Sequence, residues 1–391
     1  MANVNTGLDR LADEGFAGLR GQRLGLLVHP ASVDRRLRHA AQLFFHAPLA
    51  DLRVLFGPQH GIRGETQDNM IEWEGFTDPV MGLPVYSLYG EHRKPTAGML
   101  ADVDTLVIDL QDVGARYYTF IWTMLLCLEA CAELGKRVVV LDRPNPLGGR
   151  RTEGNVLDPA YRSFVGLAPI PMRHGLTIGE LAVFFRQWSG LDLDLEVVWM
   201  EGWERDLDFT ATGLPWVLPS PNMPTVKTAL VYPGACLLEG TLLSEGRGTT
   251  RPFEIFGAPF VEPETLCGLL RSWNLPGCRL RPLYFQPTFH KFAGEVCGGL
   301  QVHITDWRVF EPVATYTAAI GAVRRLWPRD FAWRRPPYEY ETVKLPIDIL
   351  AGGPAWREAV EADLSPWQMK AGWLEQLKAF AELTAGIRHY G

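Results

Sequence analysis

Ten residues beginning at position 56, Phe-Gly-Pro-Gln-His-Gly-Ile-Arg-Gly-Glu, hold an amide (Gln59), an imidazole (His60), a guanidinium (Arg63) and a carboxylate (Glu65). Those groups can move protons and bind an anionic oxygen. Three glycines and a proline rule out a continuing strand or a stable helix, so the segment reads as a loop. A loop built for turn geometry alone would carry Ser, Asn and Asp instead. Three further stretches have the same mixed character. One runs from Asp109 through Asp112 to Arg116 and Tyr117, one from Asp142 through Arg143 to Asn145, and one surrounds His174. Later in the chain, Glu239, Glu245 and Arg247 alternate with glycines at 240, 246 and 248.

Buried strands place these groups. Apolar runs at 24–28, 52–56, 105–110 and 137–142 alternate with helical patterns at 35–46 and 116–134. Continuous apolar strands separated by helices predict a parallel sheet covered on both faces. In such a sheet the loops at the carboxyl ends of the strands converge on one edge, where ligands bind. Each of the first three polar stretches follows one of these strands. A capping box, Thr177 to Glu180, opens another helix, and 195–200 reads as a further strand. The stretch 213–224, rich in Gly, Pro and Trp, marks the crossing into a second part. That part mixes helices (263–273, 312–327 and one from Ser365 to 383) with strands (279–285, 299–305). The expected fold is α/β: a Rossmann-like parallel-sheet domain over 1–222 and a smaller α+β domain over 223–391, with segment 239–251 closing over the sheet edge.

Composition excludes several classes. The 391 residues carry a net charge of −7, so no basic face for nucleic acid is expected. The longest apolar segment, near 120–128, is too short to span a bilayer, and residues 1–16 have no apolar core for export. The six cysteines form no C-x-x-C pair. This predicts a soluble, reduced, cytoplasmic protein. His60, His174 and His290 lie far apart, and no metal is expected. Neither a dinucleotide nor a P-loop fingerprint is present, nor a G-x-S-x-G elbow, so no cofactor is expected.

Taken together, 56–64, Asp112 to Thr119, Asp142 to Pro146, Arg173 to Leu181, and Glu239 to Thr249 resemble the exo-β-N-acetylmuramidase family of glycoside hydrolases, over nearly the whole chain. The resemblance implies a two-domain enzyme with its site in the cleft, releasing N-acetylmuramic acid from the non-reducing ends of peptidoglycan fragments. Its partner would be a muramic-acid-containing saccharide. Family members usually read Pro-Glu-His-Gly in the opening loop, and that glutamate is the catalytic acid the resemblance implies. Here the position is Gln59, whose amide has no titratable proton. Asp112, Glu65, Glu239 and Glu245 are then the candidate proton donors, with His60 and Gln59 beside them. Arg63, Arg116 and Arg247 could pair with the lactyl carboxylate, while Tyr117 and Trp216 could stack on a sugar face. Arg143, Asn145 and His174 complete the expected binding residues. Two alternatives share these residues: a hydrolase of this fold with a shifted substrate and acid, and a sugar-binding protein without catalysis.

Overall fold

In the computed structural model, which describes residues 3–68 and 70–391, the apolar runs pair into one twisted sheet. Its strands are β1 (Arg23–Val28), β2 (Asp51–Gly57), β3 (Phe76–Thr77), β4 (Pro84–Ser87), β5 (Thr105–Asp109) and β6 (Arg137–Leu141). After a two-stranded ribbon of β7 (Glu153–Val156) and β8 (Pro171–Arg173), strand β9 (Leu195–Val198) completes it. The order is β3-β4-β2-β1-β5-β6-β9, parallel throughout except that β3 runs against β4. The C-terminal domain holds a three-stranded antiparallel sheet of β10 (Ile255–Ala258), β11 (Cys278–Phe285) and β12 (Cys297–Ile304), ordered β10-β12-β11. Helix Pro263–Arg271 packs on it, and Tyr316 of helix Pro312–Leu326 meets Phe256 of β10.

Helix Phe120–Glu133 covers the main sheet with Ile121, Trp122, Leu125 and Leu128 fully buried. It starts four residues later than its periodicity predicts. The Arg116 amide instead donates to Met172 O (2.9 Å), tying the segment to β8. The helix predicted over 35–46 shortens in the same way to Ala40–His46. Asp34 Oδ1 captures the amides of Arg36 and Arg38 (2.9 and 2.8 Å), so the chain turns there instead of coiling.

Between β1 and β5 the strand order reverses, which is where an open α/β sheet usually leaves a ligand crevice. Here that point is packed with polar side chains. Arg143 makes a two-pronged ion pair with Asp109, 2.7 Å on one arm, and donates to Val33 O. Ser32 Oγ reaches Asp109 O at 2.5 Å, and the Gln111 amide donates to His29 Nε2 at 3.0 Å.

The two domains are pinned together by buried or half-buried contacts. Arg116 Nη2 donates to Leu350 O (2.9 Å), Asn155 Nδ2 to Ala351 O (2.7 Å) and the Ala314 amide to Glu153 Oε1 (2.9 Å). Arg151 pairs with Glu311 at 2.8 Å. The C-terminal residues return to the first domain: the Tyr390 hydroxyl reaches Asp142 Oδ2, and the His389 amide donates to Glu180 Oε1. Among the described residues no helix is long and apolar enough to cross a membrane.

Candidate functional site

The loop after β2 folds back on itself because its glycines allow it. Gly61 and Gly64 lie at φ 73° and 65°, the left-handed region open to glycine. The Gly61 amide closes a turn on Pro58 O (2.9 Å), and Trp73 Nε1 donates to the same carbonyl (3.0 Å). His60 also sits at positive φ, 68°. Its Nδ1 lies 3.0 Å from Thr66 O, which makes Nδ1 the protonated nitrogen and leaves Nε2 as an acceptor. Burial, aided by the Arg247 charge, lowers the His60 pKa to about 4, so the ring is neutral at ordinary pH.

This loop forms one wall of a narrow, largely enclosed cavity of about 30 Å³. Gln59, His60, Tyr117, Tyr118 and Thr119 line it from the first domain, Ser220, Asn222 and Met223 from the crossing, and Tyr232, Glu239, Arg247, Tyr338 and Glu339 from the second.

Two buried carboxyl groups face this space from different surroundings. Glu239 accepts from Arg247 Nη2 (2.8 Å) and from the Tyr338 hydroxyl (2.7 Å). Arg247 is held from behind by Glu245 at 3.2 Å, which also pairs with Lys291 (2.9 Å) and His290 (3.1 Å). Burial works against ionising Glu245, but Lys291, His290 and Arg247 outweigh it and hold its pKa well down. The row therefore runs anion, cation, anion, cation, with Glu239 at the cavity end.

Glu339 makes no direct ion pair among the described residues, and only the more distant Arg247 charge favours its anion. Tyr89 donates its hydroxyl to Oε2 (2.9 Å), and Gln59 Nε2 donates to Oε1 (3.4 Å). The Gln59 amide is oriented by Thr119, whose hydroxyl donates to Gln59 Oε1 (2.7 Å). Burial raises the Glu339 pKa to about 7, and the Glu239 charge adds to it, against the two hydrogen bonds. The backbone here is unusual. Tyr338 and Glu341 exchange both main-chain hydrogen bonds at 2.9 Å, so Glu339 and Tyr340 form a two-residue turn with φ 43° and 67°. Turns of this kind are normally made by Asn and Gly. Side chains such as these cost on the order of 1–3 kcal/mol there, and such strain concentrates at functional sites.

The expected site residues divide by location. Gln59, His60, Tyr117, Glu239 and Arg247 line the cavity. Glu245 stands behind it. Arg63 is exposed and stacks on the Phe76 ring (4.4 Å), and Glu65 is exposed. Asp112 is buried elsewhere, accepting from the Gly114 amide (2.7 Å) and paired with His174 Nε2 (3.1 Å). His174 Nδ1 accepts from the Leu176 amide, which completes a local strut. Arg116 is fully buried, with three carbonyl partners at 2.8–2.9 Å. Arg143 serves the Asp109 pair, and Asn145 bridges Leu176 O and the Leu147 amide. Trp216 donates to Met223 O and packs edge-on against Phe209. These residues position the loops and lie off the cavity. Glu339, Tyr338, Thr119 and Asn222 were not anticipated. The run Pro336-Pro337-Tyr338-Glu339-Tyr340-Glu341, acid alternating with aromatic after two prolines, is the sequence signal for the first two. Among the described residues no cluster of His, Cys, Asp and Glu could hold a metal ion.

Comparison with known proteins adds to this geometry. Residues 24–227 match the family model described as exo-β-N-acetylmuramidase NamZ, N-terminal, and residues 230–390 match its C-terminal counterpart. A Bacillus subtilis relative, peptidoglycan β-N-acetylmuramidase NamZ, is 49% identical over 328 residues, covering 84% of this chain and 79% of that one. Two crystal structures of DUF1343 family proteins from Bacteroides fragilis share the architecture. One has TM-score 0.89 at 36% identity, covering 100% of this chain and 99% of that one. The other has TM-score 0.77 at 27% identity, covering 99% of each.

Proposed function

Because the chain belongs to the NamZ family of exo-β-N-acetylmuramidases, we propose that its cavity hydrolyses the terminal β-N-acetylmuramide bond of peptidoglycan fragments, releasing N-acetylmuramic acid. The observation that carries this reading is the pair Glu339 and Glu239, two carboxyl groups on one cavity with opposed environments. Environments that separate two carboxyls in this way assign an acid and an anion. Glu339, protonated up to about pH 7, gives its proton to the glycosidic oxygen as the bond to the anomeric carbon breaks. Glu239, paired with Arg247 and hydrogen-bonded by Tyr338, faces the positive charge that develops on the sugar ring. Its carboxylate can also orient the acetamido group or the attacking water.

Substrate recognition follows from the remaining polar atoms. Asn222 donates to Gln67 O at 2.5 Å, while its Oδ1 is buried with no partner among the described residues. A buried acceptor left open suits the acetamido N–H of an amino sugar. Of the three arginines first considered for the lactyl carboxylate, Arg247 is the one on the cavity wall. We place the domain boundary at residues 222 and 223, both of which line the cavity.

Turnover of β-N-acetylmuramyl-(1→4)-N-acetylglucosamine by purified protein, with release of free N-acetylmuramic acid and no action on the matching glucosaminide, is the expected result. Cleavage of neither, or of the glucosaminide alone, refutes the reading.

A further inference from the structure

Glu339 borders a second space. On its outer side lies an open cavity of roughly 350 Å³, walled by Arg93, Leu126, Arg162, Phe164, Leu167 and Tyr340. Glu339 is the residue common to the linings of this cavity and the enclosed one. Resting on the acid assignment above, we propose that this open cavity is the leaving-group site. It holds the amino sugar that follows the scissile bond, and its arginines hold the carboxylate of the unit beyond.

The placement follows from what a proton donor must touch. The glycosidic oxygen joins the released sugar to the leaving group, so a carboxyl in contact with it has one sugar on each side. The terminal sugar then lies on the enclosed side. The open one has room for a chain to continue outwards. Its walls suit a saccharide. Tyr340, 43% exposed, packs edge-on against the buried Phe164 with ring centroids 6.2 Å apart, and an exposed ring with a polar hydroxyl suits contact with a pyranose. Arg93 lies 3.9 Å above the Tyr340 ring and 5.9 Å from Phe164, and Arg162 lies 4.8 Å from the Trp188 ring. No carboxylate of a described residue forms an ion pair with either guanidinium. Glu341, the other acid on this wall, is engaged by the amides of Val343 and Lys344 and by the Lys344 ammonium at 3.9 Å. Two cations resting on aromatic faces beside a sugar-sized space fit an acidic substituent, the lactyl group or its attached peptide, on the second unit of the leaving chain.

The experiment compares three substrates: 4-nitrophenyl β-N-acetylmuramide, the disaccharide above, and the trisaccharide that ends in a second muramic acid. In the wild type, kcat/KM should rise from disaccharide to trisaccharide. In Arg93→Ala/Arg162→Ala that gain should fall by about 10- to 100-fold, the size expected when charge-assisted hydrogen bonds are lost. Leu167→Trp, which fills the cavity, should depress both saccharides relative to the nitrophenyl muramide. Unchanged ratios in both variants overturn the leaving-group site while leaving the muramidase reading intact. If the wild type cleaves no muramide, the muramidase reading fails separately. Calorimetric binding of N-acetylglucosaminyl-N-acetylmuramic acid then decides the site. Binding weakened at least tenfold by the double substitution upholds it, and equal or absent binding overturns it.

Discussion

Glu339→Gln separates proton donation from everything else Glu339 does. The replacement keeps the shape and most of the hydrogen bonding. Gln59 Nε2 can still donate to the new amide oxygen, and the Tyr89 hydroxyl, now a donor at 2.9 Å, can rotate to accept from the new NH₂ group. The variant should fold. Its turnover of the disaccharide should drop by roughly 100- to 10,000-fold, the usual contribution of a general acid. The nitrophenyl muramide, whose phenolate departs without needing a proton, should lose much less. Stability carries a second, independent mark. The folded state holds the Glu339 proton up to about pH 7, against 4.5 in the unfolded chain, a difference of roughly 3 kcal/mol in proton affinity. The folded pKa is the higher one, so this contribution is fully present below 4.5 and is lost as pH rises through 7. Wild type should therefore lose stability relative to Glu339→Gln across that window, seen as a melting-temperature difference that shifts by a few °C. Rates on both substrates and thermal melts between pH 4 and 9 supply the test. Equal losses on the two substrates, or a melting difference that does not move with pH, would refute the assignment.

Other expectations rest on the same geometry. Gln59→Glu sets a second carboxyl against Glu339 where the amide now donates at 3.4 Å. The pair should share one proton, so the alkaline limb of the disaccharide rate profile should move to higher pH; an unchanged profile would mean that position 59 does not sense the acid. Arg116→Ala strips donors from three buried carbonyls, which should cost about 3–5 kcal/mol of stability while the KM of the folded fraction stays the same. A raised KM with normal melting would return Arg116 to the binding site. Asp112→Asn should weaken the His174 strut and lower the melting temperature, with the pH dependence of turnover unaltered, and loss of turnover without loss of stability would point to Asp112 as the acid.

The central strands of the main sheet were legible because they are continuous apolar runs, a pattern fixed by burial on both faces, whereas the short edge strands β3 and β4, half-exposed, were not. The opening loop was legible for a related reason: glycines at 57, 61 and 64 leave no regular structure for it to join. Asp112, Arg143, Asn145 and His174, also expected at the site, sit instead among local buried hydrogen bonds, because a sequence does not distinguish a carboxylate that binds a neighbour's amide from one that faces a cavity. Glu339 was out of reach for the opposite reason. It lies 280 positions from Gln59, which donates to it, and its raised pKa is a property of the assembled walls that no local pattern encodes.

The pins across the domains bear on how a substrate gets in. Asn155 to Ala351, Glu153 to Ala314 and Arg151 to Glu311 follow one another along β7 and the residue pair before it, with Arg116 to Leu350 beside them, and the tail at Tyr390 is fastened to Asp142. Swinging the halves apart would break these together, at about 1–3 kcal/mol for each bond that involves a charged group. The turn at 338–341 is itself held by Tyr89 and Gln59 on Glu339 and by the Tyr338 hydroxyl on Glu239. A substitution that loosens it would therefore disturb the proton donor and the cavity wall together.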